Sequence, residues 1–201
     1  MKKLYKIEVK LLSPLHINGG TSPSGIRVNV MQDGKSYIPA TLLKGMIRNN
    51  FEMFYNTYFP ELICKDKENT NNMGFCKCPS CIMFGRSGFQ KSRIILDNLE
   101  TNQDTIIELR VNNSIDRKSH KTKEGALVFT EVVSPLDKNR NPIIFTGNML
   151  VYYPKSTDEY TSKMLENYLI QSIKHIKSIG LGKSRGFGFV DVYVNENVEG
   201  A

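Results

Sequence analysis

No apolar run in this chain is long enough to cross a bilayer. Charges also interrupt the first residues, Met-Lys-Lys-Leu-Tyr-Lys-Ile-Glu, where a secretory leader would need an unbroken apolar stretch. A membrane or exported protein is therefore not expected, and the expected compartment is the cytoplasm. Acidic residues are the minority charge: 20 Asp and Glu stand against 27 Lys and Arg, leaving +7 over 201 residues. That excess favours nucleic acid or another anionic partner. Only three histidines occur, His16, His120 and His175. Paired carboxylates, a nucleophile elbow and a Walker loop are all missing, so no strong motif supports an enzyme. What remains is ample for folding. An apolar fraction of 40% can build a core, and the length suits one domain with insertions.

Alternation of Tyr5, Ile7, Val9 and Leu11 with charged residues predicts a half-buried strand over 4–11. A short strand is expected over 27–31, followed by an Asp33-Gly34 turn. Pro39 suits the first turn of a helix, and helical spacing runs from Leu43 to about Tyr58. Residues 59–91 read as irregular. Further strands are expected over 94–96, 106–111, 126–133 and 143–153, the last interrupted by Gly147. Between them, residues 112–125 are polar and basic. Ser156 and Glu159 have capping-box spacing. They precede an apolar stripe of Met164, Leu165, Tyr168, Leu169, Ile173 and Ile176, which Gly180 ends. A final strand is expected through Phe187, Phe189 and residues 190–194. Strands mixed with two helices on one face make an α+β protein.

The most informative segment is residues 179–190, Ile-Gly-Leu-Gly-Lys-Ser-Arg-Gly-Phe-Gly-Phe-Val. Gly180, Gly182, Gly186 and Gly188 surround a core of Lys183, Ser184 and Arg185. Glycine permits close approach of backbone, and Lys and Arg in such a loop favour an anion. A dinucleotide fingerprint would lie after a strand and before a helix; here the order is reversed. Arg185 to Val190 also fits the basic-Gly-aromatic-Gly-aromatic-Val signature of RNA-recognition motifs. That signature precedes another helix and strand, however, and Val192 stands where an aromatic belongs. The alternative is a tight helix-to-strand turn with incidental charges. Lys44 and Arg48, four apart on the first helix, are either a solvated pair or further anion contacts.

Cys64, Cys76, Cys78 and Cys81 are the only cysteines. Four thiols at this spacing suit structural zinc, with Cys78 and Cys81 as a knuckle pair. Cys76 lies tighter to Cys78 than usual, so another group could replace one of the two. Disulfides are the competing reading, which a reducing cytoplasm disfavours. His175 is expected to pack or face solvent, and His120 to sit in a cationic loop suited to phosphate. His16 could act as a general base, but a hydrogen-bonded structural role is favoured.

Several segments agree on one family. They are Ser-Pro-Leu-His-Ile-Asn-Gly-Gly at 13–20, Tyr-Ile-Pro-Ala-Thr-Leu-Leu-Lys-Gly-Met-Ile-Arg at 37–48, and Cys-Pro-Ser-Cys-Ile-Met-Phe-Gly at 78–85. Ile-Asp-Arg at 115–117 with residues 125–131, and the loop at 180–188, complete the set. In this order they resemble the RAMP superfamily of CRISPR-associated proteins, within it the crRNA-binding backbone subunit of type III or type III-derived effector complexes. The resemblance implies a single domain over 1–201 with a ferredoxin-like, RNA-recognition-motif-related core. It implies a zinc-bearing insertion at 59–91 and a thumb-like β-hairpin at 112–131 that kinks a guide–target duplex. Lys44, Arg48, Gly180, Gly182, Lys183, Ser184, Arg185 and Gly186 would hold guide-RNA backbone, and Arg117, Lys118, Lys121 and Lys123 would act on the thumb. The implied partners are a crRNA guide, target RNA, copies of the chain in a filament, and other effector subunits including a separate nuclease. Cleaving members carry an aspartate in the loop after the first strand. Residues 21–30 contain no carboxylate here, so a subunit that holds its target without cutting is expected. An active nuclease using Asp33, a subunit capping the guide's 5′ end, and a repeat-processing nuclease using His16 are the alternatives.

Overall fold

Strand β1 (Lys2–Leu11) is the spine of the molecule. In the computed structural model, residues 2–59, 63, 76–86, 90–154 and 159–197 are described. The chain continues through β2 (Asn18–Thr21), β3 (Arg27–Asn29), β4 (Met31–Gln32) and β5 (Lys35–Ser36) into helix α1 (Ala40–Tyr58). Next come α2 (Pro79–Phe84), β6 (Ile94–Leu96), β7 (Ile107–Asn112), β8 (Val128–Val133) and β9 (Ile144–Tyr152). Helix α3 (Glu159–Lys174), a single 3-10 turn (Lys183–Arg185) and β10 (Val190–Asn197) close the order.

One sheet has the order β10-β1-β9-β6, with every neighbour antiparallel. With α1 after β1 and α3 after β9, the core reads β-α-β-β-α-β, compatible with the ferredoxin-like arrangement. Alternation does the burying in β1: Tyr5, Ile7, Val9 and Leu11 are all buried. Helix α1 buries Leu43, Ile47, Phe51 and Tyr55, one stripe at helical spacing. Leu165, Leu169 and Ile173 of α3 join the same core. The two helices touch through Tyr55 and Tyr168, whose ring centroids are 4.6 Å apart. Tyr5 donates from its hydroxyl to Glu166 at 2.7 Å, tying α3 to the spine.

A second sheet, absent from the sequence reading, has the order β2-β3-β8-β7. Its β3–β8 pair is parallel, with Arg27 opposite Thr130. Strands β7 and β8 form a ribbon running from Ile107 opposite Val133 to Asn112 opposite Val128. Residues 113–127 make its tip, where Ile115 bridges Thr122. The ribbon is therefore longer at its base than the hairpin expected at 112–131. Leu15 bridges Val133 and joins this sheet to the segment after β1.

Local differences have simple causes. The strand expected over 27–31 divides into β3 and β4. Ile17 accepts from the Val30 amide at 2.8 Å, so Val30 serves neither strand. The expected final strand begins only at Val190, because Phe187 and Gly188 belong to the turn. Helix α2 lies in a stretch that read as irregular. Pro79 fits its first turn and Cys78 caps it, its Sγ accepting from the Cys81 amide at 3.3 Å. Cys64 and Ser156 lie outside the described residues.

Candidate nucleic-acid interface

The basic loop is folded by its glycines. Gly180, Gly182, Gly186 and Gly188 all have φ between 73° and 84°. Gly180 and Gly188 admit no side chain: a Cβ would collide with the His16 carbonyl oxygen in one case and the Ile179 carbonyl oxygen in the other. Between left-handed Gly182 and Gly186, residues Lys183–Arg185 make one 3-10 turn. Lys183, Ser184 and Arg185 are exposed, and neither cation forms an ion pair with a described residue. Backbone hydrogen bonds clamp the loop to the segment after β1. Leu181 donates to His16 at 2.9 Å and Gly188 donates to Pro14 at 2.8 Å. The loop thus holds two free cations on a rigid base.

The opening of α1 lies beside this loop. Ile17, Asn18, Pro39, Thr41, Leu42, Gly180 and Leu181 line one groove. Pro39 offers no side-chain cap, the first turn carries no acidic residue, and only the Ala40 amide is taken, by Asn98 at 2.9 Å. An uncapped helix N-terminus presents donors and positive potential to an anion. Thr41 and Leu42 were not singled out in the sequence. An uncapped Pro at the helix start was the available signal.

Lys44 and Arg48, expected as phosphate ligands, are engaged within the protein. The Lys44 ammonium donates to the Ile94 carbonyl at 2.8 Å. Burial pushes its pKa down, and the nearby Arg48 charge does so further. Arg48 donates to Glu52 at 2.9 Å, and Ser80 of α2 donates to the same carboxylate oxygen at 2.6 Å. The pair braces α1 against β6 and α2.

Arg117, Lys118, Lys121 and Lys123 are all exposed at the ribbon tip. Asp116 organises that tip: its carboxylate accepts from the Lys118 and Ser119 amides, each at 2.9 Å. Those bonds hold its pKa below the usual carboxylate range. His120 sits in the same turn with φ of 54°. His175 follows α3 and packs edge-on to Phe54, with centroids 5.2 Å apart. Asp33 and Gly34, with φ of 50° and 76°, turn β4 into β5. That backbone is the tight hairpin expected of an Asp-Gly pair.

His16 is 2% exposed and its Nδ1 lies 2.7 Å from the Glu131 carbonyl oxygen. A carbonyl only accepts, so Nδ1 carries the hydrogen. Burial is the main cause that lowers its pKa, and the charges of Arg27 and Arg185 add to it; the bond to Glu131 acts the other way. Arg27, an exposed residue of β3, was not singled out in the sequence.

The sulfur atoms of Cys76, Cys78 and Cys81 lie within 4.8 Å of one another, and Cys78 and Cys81 are buried. Three converging thiols with an amide donating to one sulfur fit a thiophilic metal ion. Cys64, expected as a further ligand, lies outside the described residues.

A split β-α-β-β-α-β core with a basic, glycine-rich loop at its rim defines an α+β protein. The family model described as the RAMP superfamily matches residues 8–191, and the chain belongs to that superfamily. Membership gives it a CRISPR-associated, RNA-binding role, in a family whose members generally bind crRNA and assemble with other Cas subunits. No curated protein matches the chain. No helix among the described residues is long and apolar enough to cross a membrane.

Proposed function

We propose that this chain is a guide-RNA-binding backbone subunit of a type III or type III-derived CRISPR effector, which holds target RNA without cutting it. The observation that carries the reading is the loop at 180–188. It carries exposed Lys183 and Arg185, unpaired among the described residues, and its Gly180 and Leu181 share a groove with the start of α1, a surface suited to successive phosphates. Such contacts position a strand without reading its sequence. The reading gives phosphate contact to Lys183, Ser184, Arg185 and the α1 opening, and a bracing role to Lys44 and Arg48.

The β7–β8 ribbon is read as the thumb. Its tip is basic, while Leu109, Val111, Ile115 and Leu127 are more than half exposed. Apolar side chains on a charged ribbon suit insertion beside stacked bases. The metal of the cysteine cluster is read as zinc, with Cys64 as the fourth ligand. The non-cutting form is supported by Asp33, whose backbone setting is explained by its turn.

The test is binding of repeat-derived RNA by the purified chain over a salt series. Tight binding that weakens steeply with salt is expected, with several copies per guide by native mass measurement. No affinity at moderate salt sinks the reading. One copy at the 5′ end would make it a cap. With Mg²⁺, target RNA should stay intact, and cleavage lost in Asp33→Asn would make the chain a nuclease.

A further inference from the structure

Buried polar side-chain atoms are almost always paired. Among the described residues His16 Nε2, Thr130 Oγ1, Asn112 Nδ2 and, apart from them, Gln90 Oε1 are buried with no partner. The first three belong to the second sheet or its attachment to β1. Thr130 stands opposite Arg27 on β3 and Arg110 on β7, and Asn112 opposite Val128, so Thr130 and Asn112 face the same side. The His16 ring reaches the next residue along β8, Glu131, and feels the charges of Arg27 and Arg185. The unpartnered Nε2 of His16 therefore lies by β8 within the influence of two arginines, one from β3 and one from the glycine loop, while Asn112 sits farther out toward the ribbon tip.

The chemistry of Nε2 is narrow. Its ring partner Nδ1 gives its hydrogen to the Glu131 carbonyl. The neutral ring then leaves Nε2 a lone pair and no hydrogen, and the lowered pKa keeps it neutral. A phosphate beside the arginines has only acceptors, so it cannot satisfy this atom. On a sugar–phosphate backbone the one donor is the ribose 2′-hydroxyl. We propose that His16 Nε2 accepts a hydrogen bond from a guide 2′-hydroxyl, while Arg27 and Arg185 hold the adjoining phosphate, so that this seat distinguishes RNA from DNA. The inference rests on the guide-RNA reading and adds the residue that senses ribose. Nε2 is screened from solvent in the free chain. A ribose reaches it only when a neighbouring side chain moves aside, a rotamer change that takes nanoseconds at an exposed residue.

Fluorescence anisotropy at one salt concentration tests it on the full chain. The ligands are a single-stranded repeat-derived RNA, the same RNA with 2′-deoxy sugars, and the matching DNA. Wild type should bind RNA about two- to tenfold more tightly than the 2′-deoxy strand, the worth of one hydrogen bond. His16→Asn keeps an amide donor for Glu131 and removes the Nε2 acceptor. It should lose that preference by weakening RNA alone. Equal binding of RNA and 2′-deoxy RNA by wild type overturns the inference, and this arm needs no variant to fold. Equal weakening of RNA and DNA by His16→Asn also overturns it, as does cleavage of the bound RNA that disappears in this variant, which would make His16 a base. Binding to neither nucleic acid overturns the guide-RNA reading as well.

Discussion

At the scale of single residues, the glycine loop is governed by two missing side chains. A Cβ at Gly188 has no space and an unfavourable φ of 73°. Gly188→Ala should cost about 2 kcal/mol or more, seen as a lowered urea midpoint. His16 sets a pH dependence. Its folded pKa is depressed below 6.5, so its contribution to stability is present above about pH 6.5 and lost as pH falls below it. Denaturation at pH 7.5 and pH 5 should show that loss, and His16→Asn should show less of it. Both residues stood out in the sequence, Gly188 by its motif and His16 by its place before a glycine turn. Arg27 did not, because its meaning depends on a parallel pairing with Thr130, a hundred residues away. The inward turn of Lys44 and Arg48 was equally hidden. Helical spacing gives a shared face, but it does not say that β6 and α2 cover that face.

At the scale of elements, α2 and the ribbon are separable. The cysteine cluster caps α2, and α2 meets α1 through the Ser80–Glu52 bond and the Phe84–Phe51 ring contact. Removing metal with a chelator should therefore lower the melting temperature, with Cys78→Ser reproducing the effect and gaining nothing from added zinc. The ribbon tip is held by Asp116 and makes its turn with its own residues. Replacing Lys118, Lys121 and Lys123 together by Ala should leave the melting temperature nearly unchanged while weakening binding to guide–target duplex. The core elements were legible in the sequence because each carries its own periodicity. Helix α2 was not, since six residues supply too few turns for a period to emerge. The second sheet was not either, because β2 and β3 are four residues or shorter and join β8 only through a pairing distant in sequence.

At the scale of the whole molecule, net charge of +7 and the clustering of free cations predict a strongly salt-dependent complex. The double variant Lys183→Ala with Arg185→Ala should flatten the plot of log affinity against log salt by about 0.7 for each phosphate left without its cation. Lys44→Met should leave that slope unchanged. Strand β1 sits between β9 and β10, so it is completed only by strands that come much later in the chain. The glycine loop is hydrogen-bonded to residues 14 and 16 but is translated immediately before β10. On the ribosome, then, the clamp cannot close when residues 14 and 16 emerge, and waits until α3 and residue 188 have been made.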